Sequence, residues 1–384
     1  MLSSRFSKES RRGNDVKASL FVLPFLVLNF ATSVVNSQPI TQYAGNDTTI
    51  EGRWKWAYGQ GSRLGNHQSF WIGYGIKRLM DADSYVLSGR VSSRTLDRGK
   101  SLYALITRDT SRQVRSAIER WSGGRVGILK RMKDIALLFL VERNPSGFLE
   151  AGKLSECTMD LGFDLGDRPL FWLGTADDNE SVRRLRNLYD ATSSLDFKKD
   201  LVRAAGVHQP SSDVFHFLTG VLKAAESDVV RAQAAFWIGE QDNPEALKIL
   251  LNAAEKDSSL KVREQAVFAI SRLDTNESTD ALISLARTAN SPKIRGKATF
   301  WLGQKASQKA VATLEDIIAN NEETEVQRQA LFALSQMKGT EGVERLIRIA
   351  RTHPNPRIRK LAIQLLGQSD DPKALDALIA IVRK

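Results

Sequence analysis

Residues 230–261 read VRAQAAFWIGEQDNPEALKILLNAAEKDSSLK, and this 32-residue pattern recurs in register up to Lys384. Five copies align without insertion or deletion, and aligned positions hold the same type of residue. Such columns hold Val230, Val262, Ile294, Val326 and Ile358; Ala234, Ala266, Ala298, Ala330 and Ala362; Phe236, Phe268, Phe300, Phe332 and Gln364; and Leu250, Leu282, Leu314, Leu346 and Leu378. A strict period of this length predicts a row of equivalent structural units.

Each unit is predicted to be a pair of helices joined by a short turn. Val262, Ala266 and Ile270 recur at four-residue spacing, which places them on one stripe of a helix. A second helix has its own start signal, a column of residue types that are favoured at helix N-caps. This column holds Asn243, Thr275, Ser307, Gly339 and Asp371. One such hairpin cannot bury its own apolar face, but stacked hairpins can, so the repeat predicts an α-solenoid.

The clearest copies resemble a known repeat family. Their shared pattern is Val/Ile-Arg, then Ala, then Leu/Ile-Gly, followed after a short turn by Asp-Pro and Ala-Leu. In the last copy these residues are Ile358, Arg359, Ala362, Leu366, Gly367, Asp371, Pro372, Ala374 and Leu375. The pattern resembles HEAT repeats and is most similar to the short HEAT-like units of phycobilisome lyases. The resemblance implies an architecture, whereas HEAT proteins serve many unrelated tasks and so imply little about the ligand.

Positive charge is concentrated before the repeats. The chain has 384 residues and a formal net charge of +11. Residues 39–150 carry 18 basic and 10 acidic residues, whereas residues 151–384 carry 32 of each. A solenoid that binds nucleic acid should carry a stripe of lysine and arginine along one face, so this balance argues against nucleic-acid binding. We expect the basic N-terminal part to be weakly attracted to an acidic envelope surface.

The first 37 residues have the pattern of a secretory signal peptide. Five basic residues precede an uncharged and mostly apolar stretch over 18–35, and small residues precede a cleavage point after Ser37. Pro24 and Asn29 weaken this stretch as a permanent transmembrane helix, although its length is near the lower limit for spanning a bilayer. We therefore expect an exported protein in the periplasm, cell envelope or medium. An uncleaved anchor and a misassigned start are the alternatives.

The stretch after the leader does not follow the 32-residue period. Residues 38–52 are rich in Gln, Thr, Asn and Gly and are interpreted as an exposed linker. Residues 53–165 contain short aromatic and β-branched runs, which predict a small β-rich domain with one helix near residues 114–121. The predicted strands cover 69–76, 84–91, 102–106 and 134–141. The expected fold class is therefore α+β.

The solenoid is predicted to begin before the regular copies. The motif Phe-Trp-Leu-Gly at 171–174 returns as Phe-Trp-Ile-Gly at 236–239 and again at 300–303. This return predicts a degenerate helical unit over about 167–190, truncated as a terminal unit is expected to be. The HEAT-like α-solenoid is therefore expected over 166–384, with about seven units.

The densest aromatic cluster of the sequence is a candidate binding patch. It flanks the glycine-rich stretch 59–65, which is interpreted as a loop because it lacks the lysine of a phosphate-binding loop. Its candidate residues are Trp54, Trp56, Tyr58, Trp71 and Tyr74. Two interpretations stay open: these rings form the core of the β-rich domain, or they form a partner-binding patch, because aromatic residues dominate interface hot spots.

The sequence offers no catalytic or metal-binding pattern. The only cysteine, Cys157, is expected to be a buried apolar residue. The four histidines, expected in turns or at the surface, form no His-Glu-x-x-His motif and stand near no pair of cysteines. We therefore expect no catalytic residue, no metal and no cofactor.

An arginine follows the first apolar residue in four of the five copies. Arg231, Arg263, Arg295 and Arg359 occupy this column, and Gln327 interrupts it. An anion-binding row is one interpretation. The other is structural: each arginine bonds turn carbonyls or an aspartate such as Asp242 or Asp274. Glutamine suits hydrogen bonds to the backbone better than binding of phosphate, which favours the structural interpretation.

These observations predict a non-enzymatic scaffold or protein-binding module. A protein partner is expected on the concave solenoid face, predicted to be lined by second helices, at exposed positions of mixed charge. Those positions are Lys248, Asn252 and Arg348. The alternative, suggested by the lyase resemblance, is an accessory or lyase-like protein that binds a small ligand between the β-rich domain and the first repeats.

Overall fold

The computed structural model describes residues 40–65, 69–82, 84–88, 101–107, 130–305, 308–320, 323–337 and 341–383. The predicted leader over 1–37 and the helix predicted near 114–121 lie outside these ranges.

A five-stranded sheet forms the N-terminal part. Its elements are β1 (Ile40–Gln42), α1 (Ile50–Ser62), β2 (Phe70–Asp81), α2 (Leu102–Thr107), β3 (Lys130–Arg143), β4 (Leu149–Thr158) and β5 (Leu170–Thr175). The strand order is β1-β5-β2-β3-β4. Strand β5 runs parallel to β1 and β2, whereas β3 pairs antiparallel with β2 and β4. The predicted small β-rich part is therefore a mixed sheet.

Three local predictions for this part are wrong. Residues 102–106 belong to helix α2 rather than to a strand, because Leu102 and Ile106, four residues apart, are both buried against the sheet. The described part of the predicted linker contains β1 and the start of α1, whose N-cap Thr49 accepts a hydrogen bond from the Gly52 amide. The stretch 59–65, interpreted as a loop, begins inside the last turn of α1.

The predicted start of the solenoid at residue 166 is also wrong, because Leu170–Thr175 is the strand β5. The same Phe-Trp-Leu/Ile-Gly motif is helical at 236–239 and extended at 171–174. At the end of β5, Gly174 adopts φ +82°, a value that a right-handed helix does not permit. Gly239 instead keeps a helical φ of −67°. Pairing with two neighbouring strands thus outweighs the local motif.

Helices fill the rest of the described chain. They are α3 (Asp178–Ala191), α4 (Leu195–Val207), α5 (Ser212–Ala224), α6 (Asp228–Ile238), α7 (Ala246–Lys256), α8 (Leu260–Arg272), α9 (Asn276–Thr288), α10 (Pro292–Lys305), α11 (Gln308–Asn320), α12 (Thr324–Ser335), α13 (Glu341–Thr352), α14 (Pro356–Leu366) and α15 (Pro372–Val382). Helices α4, α6, α8, α10, α12 and α14 form the first-helix layer, and α5, α7, α9, α11, α13 and α15 form the second-helix layer. None of the helices in the described ranges combines the length and the apolar content needed to cross a bilayer.

Small residues let neighbouring first helices approach closely. The repeated alanine column, from Ala234 to Ala362, is fully buried. A Cβ added to Gly303 would lie 2.6 Å from the Cβ of Ala333 in the following first helix. Consecutive first helices pack more closely than consecutive second helices do. The column that looks featureless in sequence therefore sets the distance between units.

The sheet and the solenoid share one core. On one face of the sheet, Tyr74 and Phe139 join a continuous apolar cluster that runs through α1, α3 and α4 into the repeats. On the other face, Trp71 and Leu138 pack under α2 and the segment 159–165. Each large apolar side chain buried in this way contributes about 1.5–3 kcal/mol. The sheet therefore covers the N-terminal end of the helical stack.

We expect Gly303→Ala to lower the free energy of unfolding by about 1–3 kcal/mol, because the new methyl group overpacks the contact with Ala333. Gly367 is the matched control, since the nearest atoms to an added Cβ there are carbonyl oxygens of its own helix at 3.4 and 3.7 Å. Gly367→Ala should leave stability unchanged or raise it by up to about 1 kcal/mol. Urea unfolding measures both, and equal losses in the two variants would contradict the close-approach account.

Candidate partner-binding surfaces

The aromatic candidates of the N-terminal part belong mostly to the core. Trp54 is buried, and its ring meets that of Phe139 edge-on at 4.9 Å. Tyr74 lies on the same face of the sheet, whereas Trp71 lies on the opposite face and donates from Nε1 to the Leu165 carbonyl at 2.9 Å. Trp56 and Tyr58 are half-buried on α1. The structure thus separates these rings over two faces of the sheet.

A buried hydrogen-bonded chain joins the sheet to the first helices. The Ser181 Oγ lies 2.8 Å from the Tyr74 hydroxyl and 2.8 Å from Nε2 of His208. Nδ1 of His208 lies 2.8 Å from the Ala204 carbonyl, which only accepts, so Nδ1 carries the proton and Nε2 accepts from Ser181. Ser181 then accepts from Tyr74. Every member is satisfied, so this chain orients β2, α3 and α4 relative to each other.

Burial controls the protonation of this chain. Burial, helped by the nearby Arg78 guanidinium, lowers the pKa of His208 from 6.5 to about 4. Burial also raises the pKa of Tyr74 above its ordinary value. The histidine is therefore neutral near pH 7, as the hydrogen-bond geometry requires. Sequence reasoning missed this chain because no local pattern connects β2 with α3 and α4.

A buried ion pair makes a second link between the sheet and α4. Glu156 on β4 is fully buried, and its Oε2 accepts from Nε of Arg203 at 2.8 Å and from the Ser88 hydroxyl. Arg203 also pairs with Asp200 at 2.8 Å. Burial raises the pKa of Glu156, while the charge of Arg203 opposes the rise. The ion pair holds β4 against α4, because separating the two side chains would leave a buried charge without its partner.

The remaining candidates for chemistry have structural surroundings. Burial raises the pKa of the Cys157 thiol to about 12, which keeps it protonated. The described histidines lie in turns or at the surface, as expected: His208 and His353 follow the ends of α4 and α13 and are buried in these turns, whereas His216 is exposed on α5. His353 donates from Nε2 to the Ile318 carbonyl at 2.9 Å because its Nδ1 accepts from a backbone amide. His67 lies outside the described residues, within which no group of acidic, histidine or cysteine side chains has the arrangement of a metal site.

The repeated arginines bond the backbone, as the structural interpretation predicts. In four units the arginine donates from Nη1 to the carbonyl oxygen six residues earlier, at the end of the preceding second helix. The pairs are Arg231 with Ala225 (2.9 Å), Arg263 with Asp257 (2.8 Å), Arg295 with Ala289, and Arg359 with His353 (2.7 Å). Gln327 donates from Nε2 to the Ile318 carbonyl at 2.9 Å, nine residues earlier and inside the preceding second helix. The column therefore joins successive units.

The acidic partners of this column differ from those predicted. Arg231 forms a two-pronged pair with Asp257 at 3.0 Å, and Arg295 pairs with Glu323. Both acids lie in the loop before the next first helix rather than in the inter-helix turns that contain Asp242 and Asp274. The reason is the orientation of the side chain, since the arginine at the start of a first helix faces the start of the following first helix.

The three candidates on the second-helix layer do not form one site. Lys248 and Asn252 on α7 line a shallow depression of about 480 Å³. Arg348 lies three units away on α13, lines another depression of about 420 Å³, and pairs with Glu315 of the neighbouring unit. The repeat already contains this separation, because Asn252 and Arg348 occupy one column three periods apart and Lys248 lies one helical turn before Asn252.

Ion pairs between units cancel much of the charge on this layer. They are Lys309 with Asp280, Arg287 with Asp316 (3.0 Å), Arg345 with Glu315 (2.6 Å) and Lys373 with Glu344 (2.5 Å). Exposed pairs of this kind contribute at most about 1 kcal/mol each to stability. Their main effect is to leave a polar surface with little net charge.

HEAT repeats match this chain over residues 216–303, 279–338 and 311–384. Together these matches cover 216–384, which is less than half of the chain. No curated protein sequence matches the chain. Residues 216–384 thus match HEAT repeats, whereas the sheet and helices α3 and α4 lie outside the matched residues.

Solved structures share only parts of the architecture. The CpcE–CpcF complex of phycocyanin lyase from Nostoc sp. PCC7120 is 19% identical over 41% of this chain and 100% of that chain, with a TM-score of 0.32. Human deoxyhypusine hydroxylase is 19% identical over 52% of this chain and 85% of that chain, with a TM-score of 0.26. Lipovitellin is 9% identical over 80% of this chain and 40% of that chain, with a TM-score of 0.40. At these values the likenesses carry no functional information.

We expect the free energy of unfolding to fall by about 2 kcal/mol more between pH 7 and pH 5 in the wild-type chain than in His208→Gln. The folded pKa of His208 is about 4 and the unfolded value is 6.5, so the unfolded chain binds the extra proton between these values. Stability is therefore retained above pH 6.5 and lost as the pH falls toward 4.

Urea unfolding at both pH values measures this difference. His216→Gln is the control, because it removes an exposed histidine from the neighbouring helix α5 and should keep the wild-type pH dependence. The same pH dependence in wild type and His208→Gln would contradict the assignment of a neutral, buried His208.

Proposed function

We propose that this chain is a non-enzymatic protein-binding module in which the solenoid, rather than the sheet, docks on a partner protein. The supporting observation is the distribution of exposed surface. Helices and the segment 159–165 cover the two faces of the sheet, and its aromatic residues are largely used in packing. The solenoid instead presents two long outer surfaces, each made of equivalent positions repeated from unit to unit. Such surfaces suit an extended protein partner.

The charge distribution favours a protein over a polyanion. Residues 151–384 carry equal numbers of basic and acidic residues, and the repeated arginines are used in contacts between units. A nucleic acid would require a continuous row of cations free to meet phosphates. The matched HEAT repeats are compatible with protein binding but do not select a partner.

The alternative of a small ligand between the sheet and the first repeats is less well supported. Among the described residues, that junction holds the fully buried Tyr74, Ser181 and His208, which satisfy each other with hydrogen bonds. Apolar side chains such as Phe139 and Phe197 fill the space beside them. A lyase-like role at this place would need these groups to move apart.

We also propose that the protein is exported. The basic start, the apolar stretch over 18–35 and the residues before Ser37 support a leader that directs the chain out of the cytoplasm. The excess of basic residues over 39–150 would then add a weak, salt-sensitive attraction to an acidic envelope surface.

Site-specific photocrosslinking in the native host tests the proposed docking part. The full chain carries a benzophenone amino acid in place of Lys248, Lys293 or Phe148, which sample the two solenoid layers and the exposed β3–β4 turn. We expect a defined protein adduct from at least one solenoid position and none from Phe148. Adducts from Phe148 alone, or from no position, would contradict the proposal.

A further inference from the structure

A continuous row of aromatic rings crosses four consecutive first helices. The Phe236 and Phe268 rings are stacked with centroids 5.9 Å apart, and Phe268 meets Trp301 at 4.7 Å. Trp301 meets Phe300 at 4.9 Å, and Phe300 stacks on Phe332 at 6.3 Å. We call these five residues the aromatic row. It joins units that are 32 residues apart in the chain into one surface feature.

The aromatic row lies at the surface rather than in the interior. The core columns of the same helices, such as Val262 and Ala266, are 0% exposed. By contrast, Phe332 is 40% exposed, and the other four rings of the row are half-buried. The same column holds a glutamine at Gln364 in the last unit, so packing of a unit does not require an aromatic residue there. Repeated half-exposed rings are typical of a contact surface.

The aromatic row lies on the more closely packed side of the stack. First helices pack more closely on one another than second helices do, because alanine and glycine residues line their contacts. The aromatic row therefore belongs to the first-helix layer and not to the second-helix layer that carries Lys248, Asn252 and Arg348.

Uncompensated positive charge lies beside the aromatic row. Lys261 and Lys293 precede Phe268 and Phe300 by seven residues, which places them on the same helix face two turns earlier. Both lysines are exposed, and within the described ranges neither has a carboxylate partner. In the same column, Glu325 precedes Phe332 by seven residues and pairs with Arg328, and the exposed Arg357 precedes Gln364, which lies outside the row. Other charges of this layer are paired: Lys297 with Glu264, Arg328 with Glu325, and Arg272 with Glu240.

We propose that the aromatic row binds an amphipathic α-helix of a partner protein, with its apolar side chains on the rings and its acidic side chains beside Lys261 and Lys293. The proposal rests on the proposed protein-binding function and names the surface and the partner chemistry. Three steps between first helices of about 8–10 Å each give a length near 27 Å, which an α-helix covers with about 18 residues. The charge beside the row selects an acidic helix over a basic one.

Fluorescence anisotropy with the full chain tests this surface. The probe is a fluorescein-labelled 18-residue peptide with leucines at helical spacing on one face and glutamates on the other. Its matched counterpart carries a lysine in place of each glutamate. We expect the acidic peptide to bind at least tenfold more tightly than the basic peptide, and its affinity to fall as salt is raised. Equal or reversed affinities would overturn the proposal.

Variants of the aromatic row locate the binding. Phe268→Gln combined with Phe332→Gln introduces the residue that the chain itself carries at Gln364, and we expect the dissociation constant to rise at least tenfold. Lys293→Glu should raise it about fivefold or more. Lys256→Glu is the control, because it makes the same charge change on the second-helix layer and should leave binding unchanged. Unfolding midpoints of the variants verify that the fold is intact.

Other occupants give different results in the same assay. Tighter binding of a single-stranded oligonucleotide or of anionic lipid vesicles than of the acidic peptide would overturn the proposal, as would concentration-dependent self-association that Phe332→Gln abolishes. If photocrosslinks form from Lys248 and the ring variants leave peptide binding unchanged, the aromatic row is not the binding surface. The proposed protein-binding function is then retained. Absence of both crosslinks and peptide binding would overturn both.

Discussion

The close contact between first helices is the constraint on which the rest of the structure depends. Buried alanines at one position of the first helices α6, α8, α10, α12 and α14, together with Gly239 and Gly303, bring neighbouring backbones close together. The arginine column then reaches from each first helix to the end of the preceding second helix, and this repeated contact fixes the step from one unit to the next. The same step brings Phe236 and Phe268, or Phe300 and Phe332, within stacking distance. The arrangement of these aromatic rings at the surface therefore follows from the distance between first helices in the interior.

The sheet gives this stack a fixed beginning. Strand β5 takes the place of the first helix that the periodicity predicts before α3, so the open end of the stack meets a sheet rather than solvent. Two polar links fix the junction, the Tyr74–Ser181–His208 chain and the Glu156–Arg203 pair. Both are buried and cost stability if one member is lost. They therefore specify how the sheet sits on the helices, whereas the apolar contacts supply most of the stabilisation.

Sequence reasoning predicts the regular part well, because five in-register copies repeat the same helical stripe and the same arginine contacts. It fails where tertiary pairing overrides a local motif, as at Phe171–Gly174, and where a short helix such as Leu102–Thr107 resembles a strand. The sequence also contains the column of Phe236, Phe268, Phe300 and Phe332, but periodicity alone does not tell a core column from a surface column. That distinction depends on which face of each helix packs against the neighbouring helices. The chain through His208 joins residues 27 and more positions apart, for which no pattern exists.

The closer packing of the first-helix layer is tested most directly by distances between pairs of spin labels, measured by double electron–electron resonance. One pair replaces Lys261 and Arg357 on the first-helix layer, and the other replaces Glu255 and Arg351 on the second-helix layer. Each pair spans three units through exposed positions. The account predicts roughly 24–30 Å for the first pair, from first-helix steps of about 8–10 Å, and a longer distance for the second pair. A first-helix distance equal to or longer than the second-helix distance would contradict it.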